Sequence, residues 1–259
     1  MLACCTLVFS CSRGVSYRIA GTWENGEGKK IYLSEIVGNK EFRAVDSAVV
    51  APDFTFLLKG NVDRVQKMVL VYNSDKRKEI IVDGEPMNVM FEETTKEWKG
   101  KTSTSVTVTC TGNREQEFLE KGSSLKTTIS FMQLGKMMAA SKVDYDDPDA
   151  VDSLKRVFTL LDSSLIAAVN NYMDTTRNSY ASTYFFESHL MDNYTFEEVQ
   201  GFYNNLTDRV KQSAPGIELK KKIDEMGMVS VGGVAPNFKA TTPSGRELSL
   251  YDLRGRIVL

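Results

Sequence analysis

The hydrophobic pattern of this chain changes its period once, near residue 113. Residues 17–112 contain short β-branched and aromatic runs, separated by turn residues at intervals of about eight to twelve positions, which is typical of an antiparallel sandwich or half-barrel. The dipeptide Asp83-Gly84 is a hairpin signal and predicts that the strands beside it pair. In residues 113–226 apolar side chains recur every three or four positions, which predicts helices. We therefore expect an α+β fold, with an N-terminal antiparallel β-sandwich-like domain before an α-helical region.

The clearest predicted helix follows an acidic run at residues 144–149. Asp147 is expected to be its N-cap and Pro148 its first residue, because an anion and a missing N–H both suit a helix start. The apolar stripe of this helix consists of Val151, Leu154, Phe158, Leu161, Leu165, Ala168 and Tyr172. The run does not fit a calcium loop, which needs Gly at its sixth position and Glu at its twelfth, where Lys155 stands.

Three further helices are expected in the same region. One spans residues 178–190 and contains His189. Thr195 and Glu198 have the spacing of a capping box, which predicts that the next helix begins there. Pro215-Gly216 is expected to break that helix, and a last short helix is expected over residues 217–226.

Composition excludes several classes of function. The net charge is −2, which gives the chain no basic footprint and argues against a nucleic-acid partner. No apolar run reaches the about 20 residues that a membrane-spanning helix needs. His189 is the single histidine of the sequence, which argues against histidine-built metal sites and acid–base pairs. The sequence accordingly predicts no metal site, no cofactor and no nucleic-acid partner.

The four cysteines do not form a disulfide framework. Cys4, Cys5 and Cys11 lie in a predicted leader, residues 1–16, and Cys110 stands alone on a predicted strand. Residues 2–9 have the shape of a signal-peptide core, and residues 8–11 resemble the bacterial lipoprotein cleavage box. In that interpretation Cys11 is lipidated and anchors the chain to a membrane; the alternative is a cleaved or incomplete secretory signal. Cys110 is expected to be a small buried hydrophobe.

Several spaced motifs in residues 17–112 belong together. They are Tyr17-x-Ile19-x-Gly21, Ile31-Tyr32-Leu33, Val45-Asp46-Ser47-x-Val49 and Phe54-x-Phe56-x-x-x-Gly60. In this order they resemble the β-rich domain of unknown function 4369, which precedes thioredoxin-like domains in envelope proteins of Bacteroides-type bacteria. Pro52-Asp53 departs from the Asp-Gly or Asn-Gly turn that is usual in that family.

No catalytic residue is predicted. Asp46 and Ser47 have no His or Lys base beside them in the sequence, and the resemblance implies that they form a bend between strands. A hydrolase built on them or on the acidic run lacks a nucleophile–base pair. His189, as a lone histidine, is expected to be structural or exposed.

Residues 227–259 carry a second resemblance. Ala235-Pro236-x-Phe238, a turn at Gly245, Leu250-x-x-Leu253-Arg254-Gly255 and an apolar run at 257–259 resemble the first elements of a thioredoxin-like fold of the redoxin type. In that family the redox-active cysteines follow this strand, and this sequence has no Cys-x-x-Cys. We expect the segment to be poorly ordered or to pair with a strand of the β-rich domain, because a buried parallel strand needs neighbours.

The two resemblances imply a function. The chain is expected to be the accessory and anchoring portion of a cell-envelope thiol-disulfide oxidoreductase, facing the periplasm, with client proteins that contain disulfides and the membrane as partners. The alternative is a non-enzymatic periplasmic binding or assembly module. The sequence does not distinguish a reductase from a peroxidase and gives no oligomeric state.

Overall fold

A computed structural model describes residues 14–38, 41–73, 76–230 and 237–255. The described chain has an α+β fold, in which eight strands precede a series of helices, and this confirms the predicted fold class. The strands of the first part are β1 Val15–Trp23, β2 Lys30–Val37, β3 Glu41–Val49, β4 Thr55–Val62, β5 Gln66–Val71, β6 Arg77–Val82, β7 Met87–Trp98 and β8 Lys101–Thr111.

The eight strands form two four-stranded sheets that enclose one core. The first sheet has the order β4-β1-β7-β8 and the second the order β3-β2-β5-β6. Ile19, Phe56 and Phe91 of the first sheet lie in the same cluster as Leu33 and Met68 of the second. Their alternation with exposed residues is the pattern that predicted strands. The first sheet is mixed and not purely antiparallel, because β1 pairs with β7 in parallel.

Asp83-Gly84 does not form the predicted hairpin. β6 ends in the second sheet and β7 begins in the first, so this segment crosses between the sheets. Gly84 has φ +105°, a backbone conformation that favours glycine. Asp83 Oδ1 accepts hydrogen bonds from Glu85 N at 3.2 Å and Asn113 Nδ2 at 2.8 Å. A turn dipeptide predicts a local change of direction, but the pairing of its flanking strands is decided by the core.

The helical region contains seven α-helices and one π-helix in the described residues. They are α1 Arg114–Ala140, α2 Pro148–Thr176, α3 Ala181–Phe185, the π-helix Phe186–Leu190, α4 Met191–Asn193, α5 Phe196–Asn205, α6 Asp208–Lys211 and α7 Ala214–Val229. Searched over the part of the chain that is described, these helices include none with the length and apolarity needed to cross a membrane.

Two predicted helix starts are confirmed and one predicted break is wrong. Asp147 caps α2 by accepting from the N–H of its second and third residues, and Thr195 and Glu198 form the capping box of α5. Pro215 does not break a helix but lies in the first turn of α7, with Ser213 as N-cap. In the first turn of a helix a backbone N–H has no helical acceptor, so the missing N–H of proline costs no hydrogen bond there. The helix therefore begins earlier and runs longer than residues 217–226.

The far ends of α1 and α2 form an arm. The fully buried residues of α1 end at Ile129, and those of α2 begin at Val169. Apart from Leu165, which packs against the helical core, residues 130–168 therefore extend beyond it, and we refer to residues 130–168 as the arm.

A polar joint connects the helices to the β-rich domain. Gln116 of α1 is fully buried; its Oε1 accepts from Ile81 N at 3.1 Å and its Nε2 donates to Glu79 O at 3.2 Å. β6 is an edge strand, so these backbone groups face away from β5. The side-chain amide takes the place of a further strand and covers the edge. Asn113 accepts from Gln116 N at 2.9 Å and so caps α1.

The C-terminal segment forms a small unit of its own. β9 Lys239–Thr241 pairs with β10 Glu247–Ser249, and a 3-10 helix, Leu250–Leu253, follows. Within the described residues these two strands pair with each other in a separate two-stranded sheet and not with a strand of the β-rich domain. The predicted run at 257–259 lies outside the described residues.

We predict that Gln116→Leu lowers the free energy of unfolding by about 2 kcal/mol, because it leaves two backbone groups of β6 without partners. Urea denaturation followed by circular dichroism measures this change. Gln133→Leu is the matched control, since Gln133 is exposed and makes no hydrogen bond in the described structure. Equal stability of the two variants would contradict the role of the joint.

Candidate functional site

An open cleft of about 800 Å³ lies beside the near end of the arm. α1, α2, the π-helix, α4 and α5 contribute its walls. Ile129, Leu165, Val169 and Phe202 supply apolar side chains to it. Carboxamide side chains also line it, namely Gln133, Asn170, Asn193, Asn204 and Asn205. An apolar surface with a few polar groups is the usual composition of a small-molecule site.

His189 enters the cleft from the π-helix. The sequence predicted one continuous helix over residues 178–190, but the structure has a short α-helix followed by five residues of π-helix. Such wide turns are uncommon and often occur at functional sites. His189 is 6 % exposed, and its ring centroid lies 5.3 Å from that of Phe185 and 6.0 Å from that of Tyr194. His189 is therefore buried, as a structural histidine would be, and it also lines the cleft.

The surroundings of His189 favour its neutral form. Burial lowers its pKa first, the positive charge of Lys126 lowers it further, and Asp192 acts in the opposite direction. Asn193 Nδ2 donates to His189 O at 2.7 Å and lies 3.4 Å from His189 Nδ1. A neutral ring that accepts at Nδ1 carries its hydrogen on Nε2.

The carboxylates of the cleft already have partners. Asp162 accepts from Lys136 at 2.6 Å and 2.7 Å, and Glu198 accepts from Thr195 N at 2.9 Å in the capping box. The side chains of Gln133, Asn170 and Asn205 make no hydrogen bond within the described structure. In the same residues no three metal-ligating side chains come together. The cleft is therefore equipped for hydrogen bonding to a ligand.

Cys110 lies far from any reactive arrangement. It is on β8, is 4 % exposed and belongs to the core between the sheets, as was predicted for a lone cysteine on a strand. Burial raises its pKa to about 11, so the thiol stays protonated at neutral pH. A protonated thiol is neither a nucleophile nor a good metal ligand.

Asp46 and Ser47 do not form the predicted bend between strands, because both lie within β3. The register of β3 against β2 shifts next to Asp46, which is a β-bulge. Asp46 Oδ2 accepts from Tyr17 Oη at 3.0 Å, and Ser47 N donates to Asp46 Oδ1 at 2.7 Å. Burial, with Asp46 as a second cause, raises the pKa of Tyr17 to about 12. Neither residue lines the cleft. Cys11, the predicted lipidation site, lies outside the described residues.

The comparison with protein families identifies one domain. Residues 17–119 are a DUF4369 domain, a domain of unknown function. Domains of this type are known in thioredoxin-like proteins. No curated protein matches the chain. The matched segment extends past the predicted boundary at 112 and includes Asn113 and Gln116, so the polar joint belongs to the domain.

We predict that His189 makes stability depend on pH below its ordinary pKa of about 6.5. Because the folded-state pKa is lowered, the unfolded chain binds the proton first, so stability is full above about 6.5 and falls as pH decreases below it, by at most about 1.4 kcal/mol per pH unit. Urea denaturation of the unmodified chain should show this loss between pH 7.5 and 5.5, and His189→Phe, which keeps a ring, should abolish it. Asn170→Ala is the control and should retain the loss. If His189→Phe lost as much stability as the unmodified chain over this pH range, the loss would not come from a lowered pKa of His189.

Proposed function

We propose that this chain is the accessory and anchoring portion of a cell-envelope thiol-disulfide oxidoreductase of the thioredoxin-like, redoxin type. The order of its parts carries the proposal. A DUF4369 domain comes first, a helical region follows, and the segment after it has the sequence pattern of the start of a redoxin-type domain. Client proteins with disulfides and, through a lipid on Cys11, the periplasmic face of a membrane are the proposed partners.

The local structure of the C-terminal segment supports this proposal. β9 and β10 form a hairpin whose turn contains Gly245 at φ +81°. Asn237 Oδ1 accepts from Ser249 Oγ at 2.7 Å and from Tyr251 N at 3.1 Å, which holds the beginning of the segment against the 3-10 helix. A hairpin followed by a helical turn and a glycine, here Gly255, is the arrangement that the redoxin resemblance implies before the first buried strand.

The redox chemistry is assigned to cysteines that this sequence does not contain. Thiol–disulfide exchange needs a thiolate that attacks the disulfide and a second thiol that resolves the mixed disulfide. Cys110 is buried and protonated, so it supplies neither. The role of the DUF4369 domain and the helices is then to hold the redox domain at the envelope and to present clients to it.

The second candidate is a non-enzymatic periplasmic binding or assembly module. The cleft beside His189 favours it, because the cleft combines an apolar surface with unpaired carboxamides. A ligand that protects the chain against heat, and whose effect disappears in Asn170→Ala, would support this candidate without any redox activity.

We predict that the chain does not catalyse insulin reduction with dithiothreitol above the rate of the uncatalysed reaction. In the native state Cys110 should not react with a thiol reagent at pH 8, because burial keeps it protonated and inaccessible. The number of thiols that react is measured for the unmodified chain and for Cys110→Ala. The two numbers should be equal in the native state, and the unmodified chain should show one more reactive thiol after unfolding in urea. Turnover that is lost in Cys110→Ala would contradict the proposal.

A further inference from the structure

The arm has one face that combines a hollow with exposed apolar side chains. A groove of about 550 Å³ runs between α1 and α2 on this face. Its lining combines larger apolar side chains, such as Met132, Leu154, Phe158 and Leu161, with four small residues, namely Gly135, Ala139, Ala150 and Ser153. The single charged residue of its lining in the described structure is Lys136, whose Nζ pairs with Asp162. The hollow is therefore open, apolar and almost free of charge.

Large apolar side chains flank this groove. Phe131 and Met138 lie four residues before and three residues after Gly135, so they share its side of α1. Val157 and Leu160 lie four and seven residues after Ser153, on the same side of α2. Phe131 is 69 % exposed and Leu160 is 70 % exposed. These four side chains and the groove between them are the arm face.

The arm face is complementary to itself. A two-fold interface joins the same patch of two subunits, so this patch must contain both the projecting groups and the hollows that receive them. Here Phe131 and Leu160 project beside a groove whose small residues leave room for side chains. Two helical pairs that pack in this way complete a four-helix bundle, in which each pair buries the apolar stripe of the other.

The arm face is close to the smallest size that suits a dimer. Residues 130–140 of α1 and 150–168 of α2 span about 16 Å and about 28 Å at 1.5 Å per residue, and each helix is about 10 Å wide. The outline of the face then covers about 440 Å², close to the minimum of about 500 Å² that a specific interface buries on each partner, so the dimer is expected to be weak.

Charge selects the relative direction of the two arms. Five aspartates lie between residues 144 and 152, at the tip of the arm. If two arms packed with their tips together, these carboxylates would meet and repel each other. An antiparallel arrangement places each tip beside the near end of the partner's arm and keeps the two acidic groups apart.

We propose that the arm face is a homodimer interface, in which the arms of two copies of this chain pack antiparallel about a two-fold axis. The inference does not depend on the proposed redox function. The cleft lies on another side of the arm: Gln133, which lines it, is two residues after Phe131, so the two side chains are on opposite sides of α1. The dimer therefore leaves the cleft open.

Sedimentation equilibrium of the full chain in reducing buffer tests this proposal. The expected mass is twice the 29.0 kDa of one chain. Measurements from about 1 to about 100 μM cover the weak end of the affinities that interfaces of this size show. A mass of one chain throughout would overturn the proposal, and the arm face would then belong to a different partner.

Two substitutions on one helix locate the interface. Leu160→Glu should raise the dissociation constant by at least about a hundredfold, because the symmetric interface buries the new charge twice. Ile166→Glu is the matched control: Ile166 is 52 % exposed on the cleft side of the same helix, and its substitution should leave the dimer intact. Circular dichroism should show both variants folded. A dimer that survives Leu160→Glu, or that Ile166→Glu dissociates equally, would overturn the assignment to the arm face.

Discussion

The side-chain amide of Gln116 satisfies the open edge of β6, and the arrangement of the helices depends on this contact. An edge strand presents unpaired N–H and C=O groups, which a protein must cover or leave to water. Gln116 pairs with one of each, at Ile81 and Glu79. The adjacent Glu115 is buried as well; it accepts from Tyr180 N at 2.7 Å and from Arg209 Nη2 at 3.0 Å. A single turn of α1 therefore fixes the helix to the sheet, to the segment before α3 and to α6.

The position of the first turn of α1 determines what the rest of the helical region can do. Because the near ends of α1 and α2 are buried against the other helices, their far ends extend as the arm. The arm has two distinct sides. One side carries the cleft with its carboxamides and His189, and the other carries the apolar arm face. Ligand binding and self-association can then occur on the same helical pair without competing. The β-rich domain holds this helical pair through the contact of Gln116 with β6. It contains no reactive thiol, since Cys110 is in its core.

The sequence predicted those features that depend on neighbouring residues. The change of period near residue 113 gave the α+β class, and the caps at Asp147 and Thr195 were predicted because a helix N-terminus is a local structure. It did not predict that Asp83-Gly84 crosses between two sheets or that His189 lies on a π-helix, because tertiary packing decides both. The cleft was missed for the same reason: its residues come from five elements, and no spacing in the sequence relates them. A lone histidine within a helical apolar pattern was the one available signal.

The mass of the protein as its source cell produces it tests the proposed function most directly. If this chain is the accessory portion of an oxidoreductase, the protein carries a further domain with a Cys-x-x-Cys motif after residue 259. Its mass should then exceed 29.0 kDa by that of one domain, roughly 100–150 residues. A mass of 29.0 kDa, apart from leader removal and lipid, would contradict the oxidoreductase proposal and leave the binding module as the function.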